Sequence, residues 1–548
     1  MDFSIKSNRV LQFILIVFIN IIFFSLSAYI LPIRYSLNDD VAMSLFASGV
    51  STGTPEPRLI FINFIYGFVL TIFYNLFPAI EWYAFFFGVI HIVSLSIIVY
   101  LFITLNKARL IKIVSIILLY VLELSIIQQF QFTTTAAIAA FAGILFLFKK
   151  KRNLNILGII LFIIGSLIRF QAAMLVMMLM LPFFIYEIFP KWRKNYKKII
   201  YVSICICTAY IFQIIDGLAY KGDDWSYYTE YNLIRGQIND NPNSMKINFN
   251  ELPEGITITD YYLLLMFFPD GKYINLPKLI EIKNLLNDVK LNEKFRNIWP
   301  SFYQYRRILI LILALFISCF IQNNEKRSRI FIFLYLFFFF IVLSVISLDG
   351  ILKRHVFISS LFPVLFFVYY IISVPPVADI YSKVQKVYRI NTGIFAFIVI
   401  FLSLSFLNDV YRELMWNRYY EKTYLSEQND ILRKINNRNI NVIPFAADLN
   451  TEFLCSPFEI SKFFKGIAIY GGGWGTNIPY NKGRFESFLT LLEDDVYFFI
   501  SVQNQGYVSL IQNAIMDHYN YENEVMLAYK TDNYLLLKFV RKEESDTL

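Results

Sequence analysis

Two adjacent aspartates, Asp39 and Asp40, stand in the run Tyr35-Ser36-Leu37-Asn38-Asp39-Asp40, just past the first long apolar stretch, Val10 to Leu31. A carboxylate beside an apolar span is costly, and such residues mark function by default. Two in a row could share a proton, act as a general base, or bind a metal ion or a sugar hydroxyl. A local role competes with these. Ser36 and Asp39 have the spacing of a capping box, and both acids favour the start of a short helix over Val41–Ser48.

A second group of residues is basic and stands at the ends of apolar stretches away from the main basic loops. It comprises Arg58, Arg169, Lys353, Arg354 and His355, with Arg235 in a long polar loop. Fixed cations suit an anion, and arginine suits one best through its planar fork. Each could instead be a snorkelling cation at lipid headgroups. Glu123, in the third apolar span that crosses, is another costly acid that could pair with Arg169. The aromatics Trp225, Tyr227, Tyr228, Tyr231 and Trp299 could stack on sugar rings or serve as interfacial anchors. Gly471-Gly472-Gly473-Trp474-Gly475 is a flexible turn with one aromatic. It lacks the Lys-Ser/Thr of a nucleotide loop, so Trp474 is left as an acceptor contact or a buried loop residue.

These residues sit in a chain that is 57% hydrophobic and only 17% charged over 548 residues, which excludes an ordinary soluble domain. The net charge of +9 gathers in short loops between apolar stretches, the pattern of cytoplasmic loops, so nucleic acid is not implied. The four cysteines and three histidines have no zinc, haem or redox spacing. Lys6 and Arg9 precede an apolar run too long for a signal-peptide core, which reads as an uncleaved anchor.

Apolar runs able to cross lie near 10–31, 82–105, 110–127, 134–148, 154–170, 172–189, 198–217, 306–322, 330–348, 355–374 and 391–407. The run 134–148 is short and needs a thin or well-packed place. The run 58–78, bracketed by Pro55, Pro57 and Pro78, is ambiguous, and positive charge decides it. If it crosses, the clusters at Lys107/Arg109/Lys112, Lys149–Arg152, Lys191–Lys198, Lys326/Arg327/Arg329 and Lys383/Lys386/Arg389 all move outside. The expectation is therefore a polytopic α-helical membrane protein with about 11 crossing helices, and 58–78 lying on the outer face. Its N-terminus is cytoplasmic. Residues 1–407 form the membrane domain, with an acidic-pair loop at 32–81 and a large outer loop at 218–305 that includes a helix at Lys278–Phe295. Residues 408–548 form a small extracytoplasmic α/β domain. Its strands are expected at Asn441–Phe445, Gly466–Tyr470, Val496–Val502, Val525–Tyr529 and Tyr534–Val540, and its helices at Tyr411–Asn437 and Val508–His518.

The arrangement resembles the GT-C superfamily of integral-membrane glycosyltransferases. The residues that carry the likeness are Asn38-Asp39-Asp40 directly after the first span, and the apolar stretch from Pro55-Glu56-Pro57-Arg58 to Phe77-Pro78 in the same loop. The Trp-Trp-Asp-Tyr-Gly motif of oligosaccharyltransferase is absent, and Asp223-Asp224-Trp225 does not replace it. The resemblance implies a GT-C-like fold and a polyprenyl-phosphate or polyprenyl-diphosphate sugar donor. It implies that one acid of the pair is the catalytic base or positions the acceptor.

On that reading, Asp39 and Asp40 are catalytic, while Arg169, Lys353, Arg354, His355 and Arg58 hold the donor phosphate. Trp225, Tyr228, Arg235 and Trp474 contact acceptor or sugar. The partners are the lipid-linked donor, a surface glycan, teichoic acid or lipid acceptor, and the bilayer of the cell membrane, as in cell-wall polysaccharide synthesis. Mg²⁺ or Mn²⁺ would suit the paired acids, and no metal need is fixed. Two alternatives stay open. One is a polysaccharide polymerase or ligase. The other is a transporter or flippase, for which an internal repeat and midplane charges are expected.

Overall fold

The structure, a computed structural model, describes residues 2–105, 109–149, 151–188, 192–286, 290–322, 325–373, 382–427, 430–431, 441–445, 456–460, 472–482 and 484–542. Lys107, Lys150, Lys191, the strand expected over 466–470 and the end of the helix expected to reach Asn437 lie outside them, as does Gly471.

The apolar runs fold as helices because a backbone in lipid must satisfy its own hydrogen bonds. The first part of the chain is α1 (Asp2–Ile30), a two-residue strand β1 (Arg34–Tyr35), α2 (Asn38–Ser48), α3 (Phe64–Leu76), α4 (Trp82–Leu105) and α5 (Arg109–Ile127). A second two-residue strand, β2 (Gln129–Phe130), leads to α6 (Phe132–Leu147), α7 (Arg152–Ile168), α8 (Phe170–Ile188) and α9 (Trp192–Ala219). The large loop carries α10 (Asp223–Asn239), α11 (Ile258–Leu265), α12 (Leu276–Leu285), α13 (Leu291–Arg296) and α14 (Ile298–Gln304). Then come α15 (Arg306–Gln322), α16 (Lys326–Leu348), α17 (Arg354–Ser373) and α18 (Ser382–Tyr420).

Among the described residues, eight helices are long and apolar enough to cross a membrane, or nine if α13–α14 and α15, bent by 79°, count as one broken span. The remaining two of the eleven apolar runs are the shorter helices α6 and α7, of 16 and 17 residues. Every residue of α6 is buried, so this short helix lies wholly within protein. Small residues allow that packing. Gly143 on α6 faces Gly158 on α7, and Gly165 backs onto Ala136 and Ala140.

Helix α3 does not cross. Its first N–H, on Phe64, donates to Asp216 Oδ1 near the end of α9 (2.6 Å). At its other end the Tyr74 hydroxyl accepts from the Tyr83 N–H at the start of α4 (3.1 Å). Both ends therefore lie on the face where α9 ends and α4 begins, and a 13-residue helix is only about 20 Å long. The acidic pair is on this face too, as are the starts of α6, α8 and α17 and the end of α18. The expected helix over 278–295 is instead two pieces, α12 and α13.

Past α18 the described residues form a small sheet of order β3-β4-β6-β5, with β3 (Asn441–Pro444), β4 (Val496–Ser501), β5 (Asn523–Lys530) and β6 (Tyr534–Arg541). β3 and β4 are parallel, and the other pairs are antiparallel. Helix α19 (Tyr507–Tyr519) packs on it through Ile511, Ala514 and Ile515. The β5–β6 turn closes as a hairpin, with Thr531 N–H donating to the Tyr534 carbonyl (2.9 Å). Lys272, Tyr273 and Phe488 N–H groups and the Tyr519 hydroxyl all donate to the buried Asp270 carboxylate, which joins this region to the large loop.

Candidate active site

Both aspartates lie in the first turn of α2, but the expected capping box does not form. Leu37 is the N-cap residue and no side chain caps the helix, because α2 begins at Asn38, three residues before the expected start. Asp39 and Asp40 are thereby turned to different surroundings.

Asp40 is fully buried. Its Oδ1 accepts from the Tyr83 hydroxyl of α4 (2.9 Å) and from the Phe132 N–H at the start of α6 (3.1 Å). Its Oδ2 has no hydrogen-bond partner among the described residues. Burial pushes this carboxyl well above the usual range; the Tyr83 donor pulls it down and the Asp39 charge raises it. Asp39 is half-buried, and its Oδ1 accepts from the Trp474 indole N–H (2.9 Å). Burial raises Asp39 as well, against the lowering effects of Trp474, Lys353 and Arg169. The pair is thus one enclosed acid and one half-open acid, with Arg169 acting electrostatically on both.

The two donors to Asp40 are set by neighbouring structure. Residues 34–35 pair in parallel with 129–130, which fixes the approach of α2 to α6. Gln131 caps α6 by accepting from the Thr133 and Thr134 N–H groups, and this aims the next free N–H, that of Phe132, at Asp40. Behind it, His91 on α4 bridges Glu123 on α5 (2.7 Å) and Thr135 on α6 (3.0 Å). Thr135 already donates to the Gln131 carbonyl (2.9 Å), so its hydroxyl accepts from His91 Nε2–H. Glu123 therefore pairs with His91 and not with Arg169, because it points into the α4–α6 contact.

Arg169 ends α7. It donates to the Phe61 carbonyl (3.3 Å) and lies over the Phe61 and Phe132 rings, in a small cavity of about 70 Å³ that Ile60, Gln171 and Asp216 also line. Lys353 is exposed beside the start of α17 and acts on Asp39. Arg354, the next residue, turns the other way. It donates to Gln129 Oε1 and to Ser125 Oγ (2.6 Å) and lines a cavity of about 610 Å³. Five arginines line that cavity, Arg34, Arg306, Arg307, Arg354 and Arg412, against Asp409 and Glu413, with Arg34 ion-paired to Glu413. Arg169 and Arg354, both expected to hold the donor phosphate, line separate cavities among the described residues. Arg34, Arg306, Arg307 and Arg412 lie outside the expected phosphate-binding set. The signal that singled out Arg354, a cation at the end of a span on the acidic face, applies equally to them.

His355 is half-buried within electrostatic reach of Lys353, Arg169 and Arg354. Arg58 is engaged elsewhere. It donates to Glu56 (3.0 Å) and to the Ala219 carbonyl (3.0 Å), and sits over the Trp225 ring. Trp225 packs edge-on against Tyr220, Tyr228 and Tyr480. The buried Tyr228 donates its hydroxyl to the Trp474 carbonyl (2.7 Å). Arg235 is buried beneath Phe267 and donates to Asn232 and Asn239. Only Trp474 of the four expected sugar contacts touches the acidic pair. Among the described residues no three His, Cys, Asp or Glu side chains gather as a metal site.

No family model and no curated protein matches the chain. Among solved structures, the chain is similar to the crystal structure of ArnT from Cupriavidus metallidurans bound to undecaprenyl phosphate. Identity is 10% and the TM-score is 0.45, with 96% of this chain and 97% of that one covered.

Proposed function

We propose that this membrane protein is a glycosyltransferase that moves a sugar from a polyprenyl-phosphate carrier to a surface glycan, teichoic acid or lipid. In this reading the acidic face is extracytoplasmic, the N-terminus is cytoplasmic, and residues 408–548 form an extracytoplasmic domain. The observation that carries it is the asymmetric acidic pair, with half-open Asp39 against buried Asp40 and cations on its flank.

Asp39 takes the proton of the acceptor hydroxyl as that oxygen bonds to the sugar's anomeric carbon. The anomeric carbon–oxygen bond to phosphate breaks, and the phosphate leaves with the electron pair. Asp40 stays fixed by Tyr83 and Phe132, and Asp39 is kept basic by its own burial. Lys353 and Arg169 both act electrostatically on Asp39, which supports a phosphate held beside it, and the arginine cavity lined by Arg354 has room for a carrier headgroup.

The test is transfer from a panel of radiolabelled undecaprenyl-phosphate sugars in membrane vesicles, with Asp39→Asn and Asp40→Asn. Asparagine keeps the size and can still accept from the same donors, so expression should hold. Asp39→Asn should lower transfer by about 100-fold or more, the scale of a lost general base. Full activity in both variants ends this reading.

A further inference from the structure

Trp474 lies 435 residues beyond Asp39 in the chain, yet its indole N–H donates to Asp39 Oδ1 at 2.9 Å. Three features show that this N–H is held there. The ring is wedged edge-on against Phe46 of α2 (5.7 Å) and Phe61 (5.4 Å), and the residue is 8% exposed. Its carbonyl accepts from the Tyr228 hydroxyl of α10 (2.7 Å), and Tyr228 is itself buried. The preceding Gly473 has φ +58, a left-handed conformation that favours glycine, and its N–H donates to the Phe267 carbonyl of the large loop. The loop is thus anchored on one side by residues of 220–267 and presents one donor on the other side to the half-open acid.

We infer that Trp474 is a positioning residue: its N–H fixes the Asp39 carboxylate so that the other oxygen faces the incoming hydroxyl, which makes the C-terminal region part of the reaction centre. This rests on the assignment of Asp39 as the base. A ring that merely sealed the contact between α2 and the C-terminal region would need no N–H, and phenylalanine would serve as well. The charged and titratable groups facing Asp39 are Asp40 on its own helix, Arg169 between α7 and α8, Lys353 before α17 and Tyr228 on α10. None of them changes when the indole N–H is removed.

The experiment uses the full chain and the variants W474F and Y228F. Phenylalanine at 474 keeps the ring stack and loses the donor. Transfer from the undecaprenyl-phosphate sugar panel should show kcat down about tenfold with KM for the donor unchanged. The acid limb of the pH profile should move up by about one unit, since a lost donor to the ionised form raises Asp39. Y228F, which frees the Trp474 carbonyl, should shift it in the same direction by less.

A second measurement does not depend on what is transferred. The pH titration of tryptophan emission, taken as wild type minus W474F in detergent, should show a step that is absent when both proteins carry Asp39→Asn. Wild-type kcat and pH profile in W474F overturn the inference, and so does a loss of kcat with no shift of the acid limb. If no transfer is found in any protein but the emission step follows Asp39, the glycosyl-transfer reading fails while the Trp474–Asp39 coupling stands. No emission step refutes the coupling itself.

Discussion

The same substitution, glycine to alanine, should have opposite signs at two places in this chain. On α7, a Cβ at Gly158 would lie 2.6 Å from the Gly143 carbonyl oxygen, 3.0 Å from Phe146 Cβ and 3.2 Å from a Leu147 methyl. The carbonyl belongs to helix backbone and cannot rotate away, so α6 and α7 must part by roughly half an ångström or more. Overpacking of this kind costs about 1–3 kcal/mol. The higher helix propensity of alanine offsets about 1 kcal/mol of that. Because the clash is with helix backbone, the cost lies at the upper end of that range, and Gly158→Ala should destabilise the protein by about 2 kcal/mol. Gly143→Ala, whose Cβ would meet the Gly158 oxygen at 2.5 Å and the Phe162 nitrogen at 2.7 Å, should do the same. At Gly236, inside α10, a Cβ meets nothing within 4 Å, so only the propensity gain remains and alanine should stabilise by up to about 1 kcal/mol. Thermal unfolding of the purified protein in one detergent gives the comparison. Gly158→Ala should melt several degrees below wild type and Gly236→Ala at or above it. A Gly158→Ala protein that melts with wild type would refute the close α6–α7 contact. The consequence reaches the site, because α6 carries the Phe132 N–H that Asp40 accepts.

Three further outcomes are expected. In a background without native cysteines, Cys at Asn153 should be shielded from an impermeant thiol reagent in intact cells, while Cys at Asn243 and Thr531 should react; the reverse pattern would invert the topology. Tyr83→Phe removes a donor to the buried Asp40 carboxylate, and a hydrogen bond to a charged group is worth about 1.5–3 kcal/mol, or about one to two pH units. Asp40 is already raised by burial, so losing the donor raises it further and Asp40 ionises only at higher pH; the part of the transfer profile that reports Asp40 should move up, and a profile unmoved throughout would remove Asp40 from the mechanism. Arg354→Lys keeps the charge but cannot serve Gln129 and Ser125 with one planar fork, so transfer should fall even at saturating donor, and an unchanged rate would make Arg354 a structural contact only.

Much of the architecture could be read from the chain because membrane solvent imposes it. Apolar length gave the helices, and the clustering of Lys and Arg excluded a crossing at 58–78, which the contacts of Phe64 and Tyr74 bear out. Alternation and turn residues placed β3 to β6 within a residue or two. The short helix α6 could be recognised as needing a packed place, but not that α7 supplies it, since glycine pairing across helices leaves no mark in local periodicity. The strands β1 and β2 are two residues each, too short for any alternation to show.

The acidic pair shows where such reading stops. Its chemistry is stated by residue type, and its position by the end of the first span. The difference between its members is not local at all. Asp40 is closed by a hydroxyl 43 residues away and an N–H 92 residues away, and Asp39 is met by an indole 435 residues away. Adjacent residues in the first turn of a helix point about 100° apart, so one must face the bundle when the other faces the loop. That geometry makes the two carboxylates unequal before any neighbour is known. Every residue of α2 from Asp40 to Ala47 is buried whichever way it points, so the enclosed place falls to Asp40 and half-buried Asp39 is the more accessible acid of the pair.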